Sequence, residues 1–356
     1  MRQERWFLYM DTLSSVRSTY ELLTLLGHRP RLEAELMRIS CQMTRRESTQ
    51  FFFVLRQRLT EETLKASEGI LVEEGGQERL GTSQAPAPLL SLCQRFEWAA
   101  LSMMLQEERL TCALQPIMNG RFSSSEGGHE ALLRCELTPE VCVSGASLFQ
   151  IARRYGMQES LERLALRLAV RGALAVGLTE SLFINTSPSF IDTMLDELEM
   201  LCGDAHALHL PLSRVVLELT EGERVEPKVL LRARERARRL GVRIAMDDVG
   251  QGMADLWSLH YLRPDVIKID RALITDVHLD PVKSAMVESL LRVSQLIGAE
   301  TVAEGVEVPD DYFHLKKLGV PLFQGYLLAR PRLVRELAAS TNAMTGGGGS
   351  FYQASA

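Results

Sequence analysis

Cysteine is sparse and scattered in this 356-residue chain: Cys41, Cys93, Cys112, Cys135, Cys142 and Cys202 form no CxxC pair. That pattern argues against a zinc ribbon or a disulfide scaffold and fits a reduced, cytoplasmic compartment. There is no run of about 18 apolar residues, so no membrane span is expected. Asp11, Arg17 and Glu21 interrupt the apolar residues near the start, which does not read as a signal peptide. A basic block is also missing, and the net charge is −6, so duplex nucleic acid is not an expected partner. What remains is ordinary: 46% hydrophobic and 24% charged residues, in a chain long enough for one large domain and a smaller one.

The informative feature is a repeat. Short apolar runs end in polar residues at His129-Glu130, Ile184-Asn185, Leu217-Glu218, Met246-Asp247-Asp248, Ile267-Lys268, Ala303-Glu304 and Phe323-Gln324. Helix-like stretches follow most of them. From Glu130 to Gln324 the spacing averages about 32 residues, close to one βα unit of roughly 30. A (β/α)8 barrel brings the C-terminal ends of its strands to one face, so these polar residues are expected to meet.

The N-terminal part reads differently. Trp6, Tyr9, Met10, Leu13, Val16, Tyr20 and Leu23 have helical spacing, stopped by Gly27 and Pro30. Residues 31–45 read as a second helix. The run Phe51–Leu55 is ambiguous between strand and buried helix, and Gly and Pro mark a linker near 73–88. Leu89 opens a helix with two apolar stripes, which must be covered on both sides. The expected organisation is a mainly α-helical region over 1–107, a barrel over 108–338 with its last helix ending near Ser340, and a flexible Gly-rich tail over 339–356.

Glu130, Glu218, Asp247, Asp248 and Glu304 would gather five carboxylates against Lys268. A formal charge of about −4 in a small volume is costly unless paired, and divalent cations are the natural counterions. The donors, carboxylates plus the Asn185 amide, are all oxygen, which favours Mg2+ or Mn2+ over zinc or copper. The adjacent acids Asp247 and Asp248 permit one carboxylate to bridge a pair of ions, an arrangement suited to phosphoryl displacement. Lys268 would orient the attacking water. His129 neighbours Glu130 on a strand and so faces the other way.

Here the sequence resembles a known family. Glu130-Ala131-Leu132-Leu133-Arg134 is the signature of EAL domains, the cyclic di-GMP phosphodiesterases. Gln115-Pro116-Ile117, Asn185-Thr186-Ser187-Pro188, Glu218-Leu219-Thr220-Glu221, Asp247-Asp248-Val249-Gly250, Lys268-Ile269-Asp270, Ala303-Glu304-Gly305-Val306-Glu307 and Gln324-Gly325-Tyr326 are similar to its other motifs. The resemblance implies a barrel with an irregular, antiparallel first strand. It implies two Mg2+ or Mn2+ ions held by Glu130, Asn185, Glu218, Asp247, Asp248 and Glu304. Glu130, Lys268, Asp248 and Glu304 would be catalytic. Substrate contacts would come from Gln115, Leu133, Arg134, Gln324 and Pro331, and Glu221 would anchor the loop after the paired Asp.

The implied activity is hydrolysis of cyclic di-GMP to linear pGpG by a homodimer. Residues 1–107, which the resemblance does not cover, would be a dimerisation or packing extension or would bind a ligand or protein partner. The alternative is a catalytically silent cyclic di-GMP receptor or interaction module. That alternative rests on the loop Val249–Asp255, where both glycines survive but the aromatic, Thr, Tyr and Ser pair of the family pattern are gone. The Ser-rich stretch 121–128 is a second departure.

Overall fold

The computed structural model describes residues 3–10, 12–33, 37–73, 87–106, 109–120, 126–138, 141–203, 210–219, 226–250 and 254–344. Two compact units form: residues 1–111 with 134–158, and residues 112–133 with 159–356.

The first unit is built on a sheet. Its elements are β1 (Gln3–Tyr9), α1 (Leu13–Leu25), β2 (Arg31–Glu33), β3 (Arg38–Thr44), α2 (Arg45–Arg58), α3 (Glu61–Ala66), β4 (Glu68–Glu73), β5 (Ala87–Pro88) and α4 (Leu89–Gln106). The strands pair antiparallel in the order β2-β3-β1-β4-β5. This corrects the expectation of helices over 5–26 and 31–45. Trp6, Leu8 and Met10 alternate into the core, as do Ile39, Cys41 and Met43. Both runs are therefore period-2 patterns. The helical stripe read through Trp6 and Met10 belongs to α1 only from Leu13 onward.

Phe51, Phe52 and Phe53 fall in α2, which a Thr44–Glu47 capping box starts. Trp6 meets the Phe52 ring edge-on, and Phe52 stacks on Phe96 of α4. The linker residues 74–86 lie outside the described residues.

The second unit is a barrel. β6 (Leu110–Asn119) and β7 (Glu126–Thr138) come first; β8 (Val141–Ser144) and α5 (Gly145–Arg154) follow and count with the first unit. Then come α6 (Gln158–Ala175), β9 (Leu182–Thr186), α7 (Ile191–Gly203), β10 (Val215–Leu219), α8 (Pro227–Leu240), β11 (Arg243–Val249), α9 (Ala254–Leu262), β12 (Val266–Ile269), α10 (Arg271–Ile274), α11 (Pro281–Ile297), β13 (Glu300–Ala303), α12 (Pro309–Leu318), β14 (Leu322–Phe323), β15 (Arg332–Leu333) and α13 (Val334–Met344).

Eight strands close in the order β6-β14-β13-β12-β11-β10-β9-β7, and β7 pairs back to β6. Neighbours from β7 through β9 to β14 are parallel, whereas β6 runs antiparallel to β14. The irregular first strand is thus present. The last helix runs to Met344, past Ser340, and the Gly-rich tail from 345 lies outside the described residues.

Period-2 geometry explains why the polar residues converge. Ile117, Phe183, Val216, Ala245, Val266, Val302 and Leu322 form one apolar cluster. Two positions before or after each of them, on the same strand face, stand Gln115, Asn185, Glu218, Asp247, Lys268, Glu304 and Gln324. The apolar layer fills the barrel, and the polar layer sits one repeat further along it. The opposite strand faces, such as Leu217 and Ile244, pack on the surrounding helices.

Candidate active site

Lys268 lies at the centre of the polar layer, with a side chain only 1% exposed. Its Nζ is 2.5 Å from Glu304 Oε1, 2.7 Å from Glu218 Oε1, 3.1 Å from Asp247 Oδ1 and 3.7 Å from Glu130 Oε2. Two amides hold Glu130 from the other side. Asn185 Nδ2 donates to Glu130 Oε1 at 2.7 Å, and Gln324 Nε2 donates to Glu130 Oε2 at 2.7 Å. Gln324 also reaches Gln115 Oε1 at 3.3 Å, and Gln115 Nε2 donates to the Ala329 carbonyl at 3.2 Å. Residues from eight strands or strand ends therefore meet in one place.

Glu130 is not at a strand end. It stands in the first half of the 13-residue β7, opposite Phe183 of β9. The strand runs on because its later residues pair with β8.

Asp248 departs from the period-2 rule. Adjacent to Asp247, it adopts φ 54, and the β11–β12 register shifts between Met246 and Val249. A bulge of this kind re-aims a side chain. As a result, carboxylate oxygens of Asp247, Asp248 and Glu304 all lie within 4.8 Å of one another.

The electrostatics are those of a cation site. Burial drives the Glu218 carboxyl well above its ordinary range, Lys268 opposes this, and the carboxylates Glu130, Asp247 and Glu304 reinforce it. Enclosure and the Asp247 charge push Glu304 the same way. Burial raises the Asp248 carboxyl to about 6, with repulsion from Asp247 and Asp270 adding to it. Burial also works to raise Glu130, but Lys268 and the two amides hold it below the usual range. Lys268 is raised because the surrounding carboxylates outweigh its desolvation.

One ammonium cannot serve this many oxygens. Glu218 Oε1 and Oε2 and Asp247 Oδ1 are buried and accept no hydrogen bond, and Lys268 meets Glu218 Oε1 and Asp247 Oδ1 as an ion pair. Buried carboxylate oxygens short of hydrogen bonds are costly, and hard divalent cations match an all-oxygen donor set. The residues present fit that group.

A cavity of about 230 Å³ opens onto the cluster, lined by Glu130, Glu304, Gln115 and Gln324 and also by Arg271, Glu307 and Tyr326. Leu133 is buried in β7, and Pro331 lies just before β15; neither lines this cavity. Arg134 follows in β7 opposite Ser144 and counts with the first unit. Glu221 and residues 251–253 lie outside the described residues.

Arg271 and Tyr326 are additions to the sequence-predicted set. Arg271 pairs with Glu307 at 3.1 Å, and the Arg330 guanidinium lies 4.3 Å from the centre of the Tyr326 ring. Each stands within three residues of a predicted site residue, which is the signal that could have found it.

An eight-stranded α/β barrel with an acidic, lysine-centred cluster at one end of its interior is suited to holding divalent cations. The sequence model of the EAL domain matches residues 98–331, well over half of the chain, and the chain belongs to that family. It is 30% identical over 240 residues to the probable cyclic di-GMP phosphodiesterase PdeD of Escherichia coli, covering 66% of this chain and 44% of that protein. The match therefore spans less than half of that relative's length. Among solved structures, the PaMucR phosphodiesterase in its c-di-GMP complex is 26% identical with a TM-score of 0.60, covering 68% of this chain and 99% of that one. A standalone EAL protein from Vibrio cholerae in a c-di-GMP-bound form is 28% identical with a TM-score of 0.54, covering 63% and 93% of the two chains. Among the described residues, no helix is long and apolar enough to cross a membrane.

Proposed function

We propose that this protein hydrolyses one phosphodiester bond of cyclic di-GMP to give linear pGpG, using divalent cations held by the barrel cluster. The observation that carries this is the set of buried Glu218 and Asp247 oxygens without hydrogen bonds beside Lys268. Glu130, Asn185, Glu218 and Asp247 would hold one ion, and Asp247, Asp248 and Glu304 a second. Mg2+ or Mn2+ bound there supplies charge stabilisation for the phosphoryl oxygens and a more acidic attacking water.

The chain's own residues do the rest. Asn185 and Gln324 fix both oxygens of Glu130, so its remaining lone pairs point in set directions. Lys268 offsets the carboxylates and would orient a water bound among them. Preorganised charge of this kind needs little rearrangement when charge develops in the reaction. Gln115 and Gln324 line the cavity in which the nucleotide would lie.

The proposal extends to the cytoplasm as the place of action, supported by the unbridged Cys41, Cys93, Cys112, Cys135 and Cys142. It also includes a homodimer, supported by the family resemblance, and a regulatory or dimerisation role for residues 1–107, supported by their forming a compact unit of their own with 134–158. The test is incubation of the purified full chain with cyclic di-GMP and Mn2+, followed by separation of the nucleotides. Linear pGpG is the expected product. Binding without product would make the protein a receptor instead.

A further inference from the structure

Glu162 belongs to α6, outside the strands of the barrel, yet its side chain is buried at 3% exposure. Both of its oxygens accept hydrogen bonds. Oε2 takes the Thr186 hydroxyl at 2.9 Å and the Ser187 backbone N–H at 3.1 Å, and Oε1 takes the Ser187 hydroxyl at 2.6 Å. All of these donors come from the two residues that directly follow Asn185. There β9 ends and the chain enters a 3-10 turn at Pro188–Phe190.

A carboxylate is a costly way to fill a helix–strand contact, because burying it requires hydrogen-bond partners that an apolar side chain does not need. What it adds is direction. Charge-assisted bonds are shorter and roughly twice as strong as neutral ones. They grip the end of a strand only five residues long. The last ladder pair of that strand on β10 is Thr186 with Leu219, and the pair before it sets Asn185 opposite Glu218. Asn185 in turn donates to Glu130 Oε1 at 2.7 Å. A shift of about 1 Å at the strand end is enough to spoil such a site, which must hold its geometry to about 0.5 Å.

We infer that Glu162 is a positioning residue for the Asn185–Glu130 pair, and that it sets the affinity of the barrel site for a divalent cation through Thr186 and Ser187. This rests on the proposed function. A glutamine retains an acceptor for Thr186 and the Ser187 N–H, and its NH2 can donate to a Ser187 hydroxyl that turns to accept. Methionine has similar length and no acceptor for any of them.

The experiment titrates full-length wild type, Glu162→Gln, Glu162→Met and Ser187→Ala with Mn2+, reading free Mn2+ by electron paramagnetic resonance. Thermal melts and steady-state kinetics accompany it. Glu162→Met should bind Mn2+ about tenfold more weakly, as expected when an outer-layer partner of a metal site is removed. Glu162→Gln should stay within about twofold of wild type, and Ser187→Ala should lose about threefold, the scale of one hydrogen bond. In Glu162→Met, kcat at saturating Mn2+ should recover more than kcat at limiting Mn2+.

Wild-type Mn2+ affinity in a folded Glu162→Met overturns the positioning role. If that variant does not fold, wild-type affinity in Ser187→Ala overturns it instead. A wild type that binds no Mn2+ brings down the proposed function itself, an outcome distinct from either.

Discussion

Lys268 Nζ stands 2.7 Å from Glu218 Oε1, and the two side chains are 1% and 0% exposed. Removing one member of a buried ion pair costs about 3–5 kcal/mol, because the partner charge is left uncompensated. Glu218 and Glu304 already have strong reason to take up protons, which limits the loss. We expect Lys268→Met to destabilise the cation-free protein by about 3 kcal/mol, at the lower end of that range. Added Mn2+ should raise the melting temperature of the variant more than that of wild type, since no ammonium competes for the carboxylates. Turnover should fall by about 10²-fold, the scale of an assisting proton-transfer or water-orienting group. Equal melting temperatures for variant and wild type in chelator would show that Lys268 is not the counterion of the cluster.

Glu130 accepts from both Asn185 and Gln324 at 2.7 Å, so it is fixed on either side of its carboxylate. Glu130→Gln presents an NH2 to one of these donors and loses the charge. Hydrolysis of cyclic di-GMP should drop below detection. Nucleotide binding should stay within about tenfold, or about 1.4 kcal/mol, because Gln115 and the cavity mouth are untouched. Product release assays and equilibrium binding on the same preparation separate the two effects. Loss of both together would mean that Glu130 serves the fold rather than the reaction.

The barrel was legible in the sequence because its parallel strands are buried on both faces. Val215-Val216-Leu217 and Ile244-Ala245-Met246 therefore read as continuous apolar runs ending in acids. The polar cluster followed from those residues ending successive strands of a barrel, whose C-terminal ends share one face. Glu162 was not legible, because its role depends on α6 lying against the turn after β9, a contact 24 and 25 residues away in sequence. Arg271 was hidden for a related reason: its partner Glu307 is 36 residues on. In the first unit β1 ends at Tyr9 and α1 begins at Leu13, and the alternating residues of one merged with the helical stripe of the other. Asp248 at φ 54 is a residue type that tolerates the left-handed region, but residue type alone does not mark the register shift beside it.

His278 offers a pH test away from the cluster. Its Nδ1 is 2.7 Å from Asp311 Oδ1, and Asp311 also accepts the backbone N–H groups of Asp276 and His278. The hydrogen bond to Asp311 raises the His278 pKa above its ordinary 6.5, with the charges of Asp311, Asp310 and Asp276 adding to it. A raised folded-state value means stabilisation that is full below 6.5 and lost as pH rises through the folded value. His278→Gln should therefore melt below wild type at about pH 6 and converge with it in the alkaline range. A gap that widens with rising pH would contradict the assigned pair.

Gly325 links the backbone to the site. A Cβ placed there would lie 2.1 Å from the Val306 carbonyl oxygen and 2.3 Å from the Val306 nitrogen. Those atoms are main chain, and Val306 N–H donates to the Gln324 carbonyl at 3.0 Å while Leu327 N–H donates back to Val306 O at 3.1 Å. No rotamer change can relieve the clash, so the segment carrying Gln324 must move away from the one carrying Glu304 and Val306. Gly325→Ala should cost about 2–4 kcal/mol, within the range of the larger single-residue effects. It should also pull Gln324 Nε2 off Glu130 Oε2, where the present distance is 2.7 Å. The expected signature is a lower melting temperature together with weaker Mn2+ binding. Gln324→Ala, by contrast, should weaken Mn2+ binding with little loss of stability, because it removes the amide and leaves the backbone in place. A Gly325→Ala protein with wild-type stability would show that the two segments are not packed as closely as this.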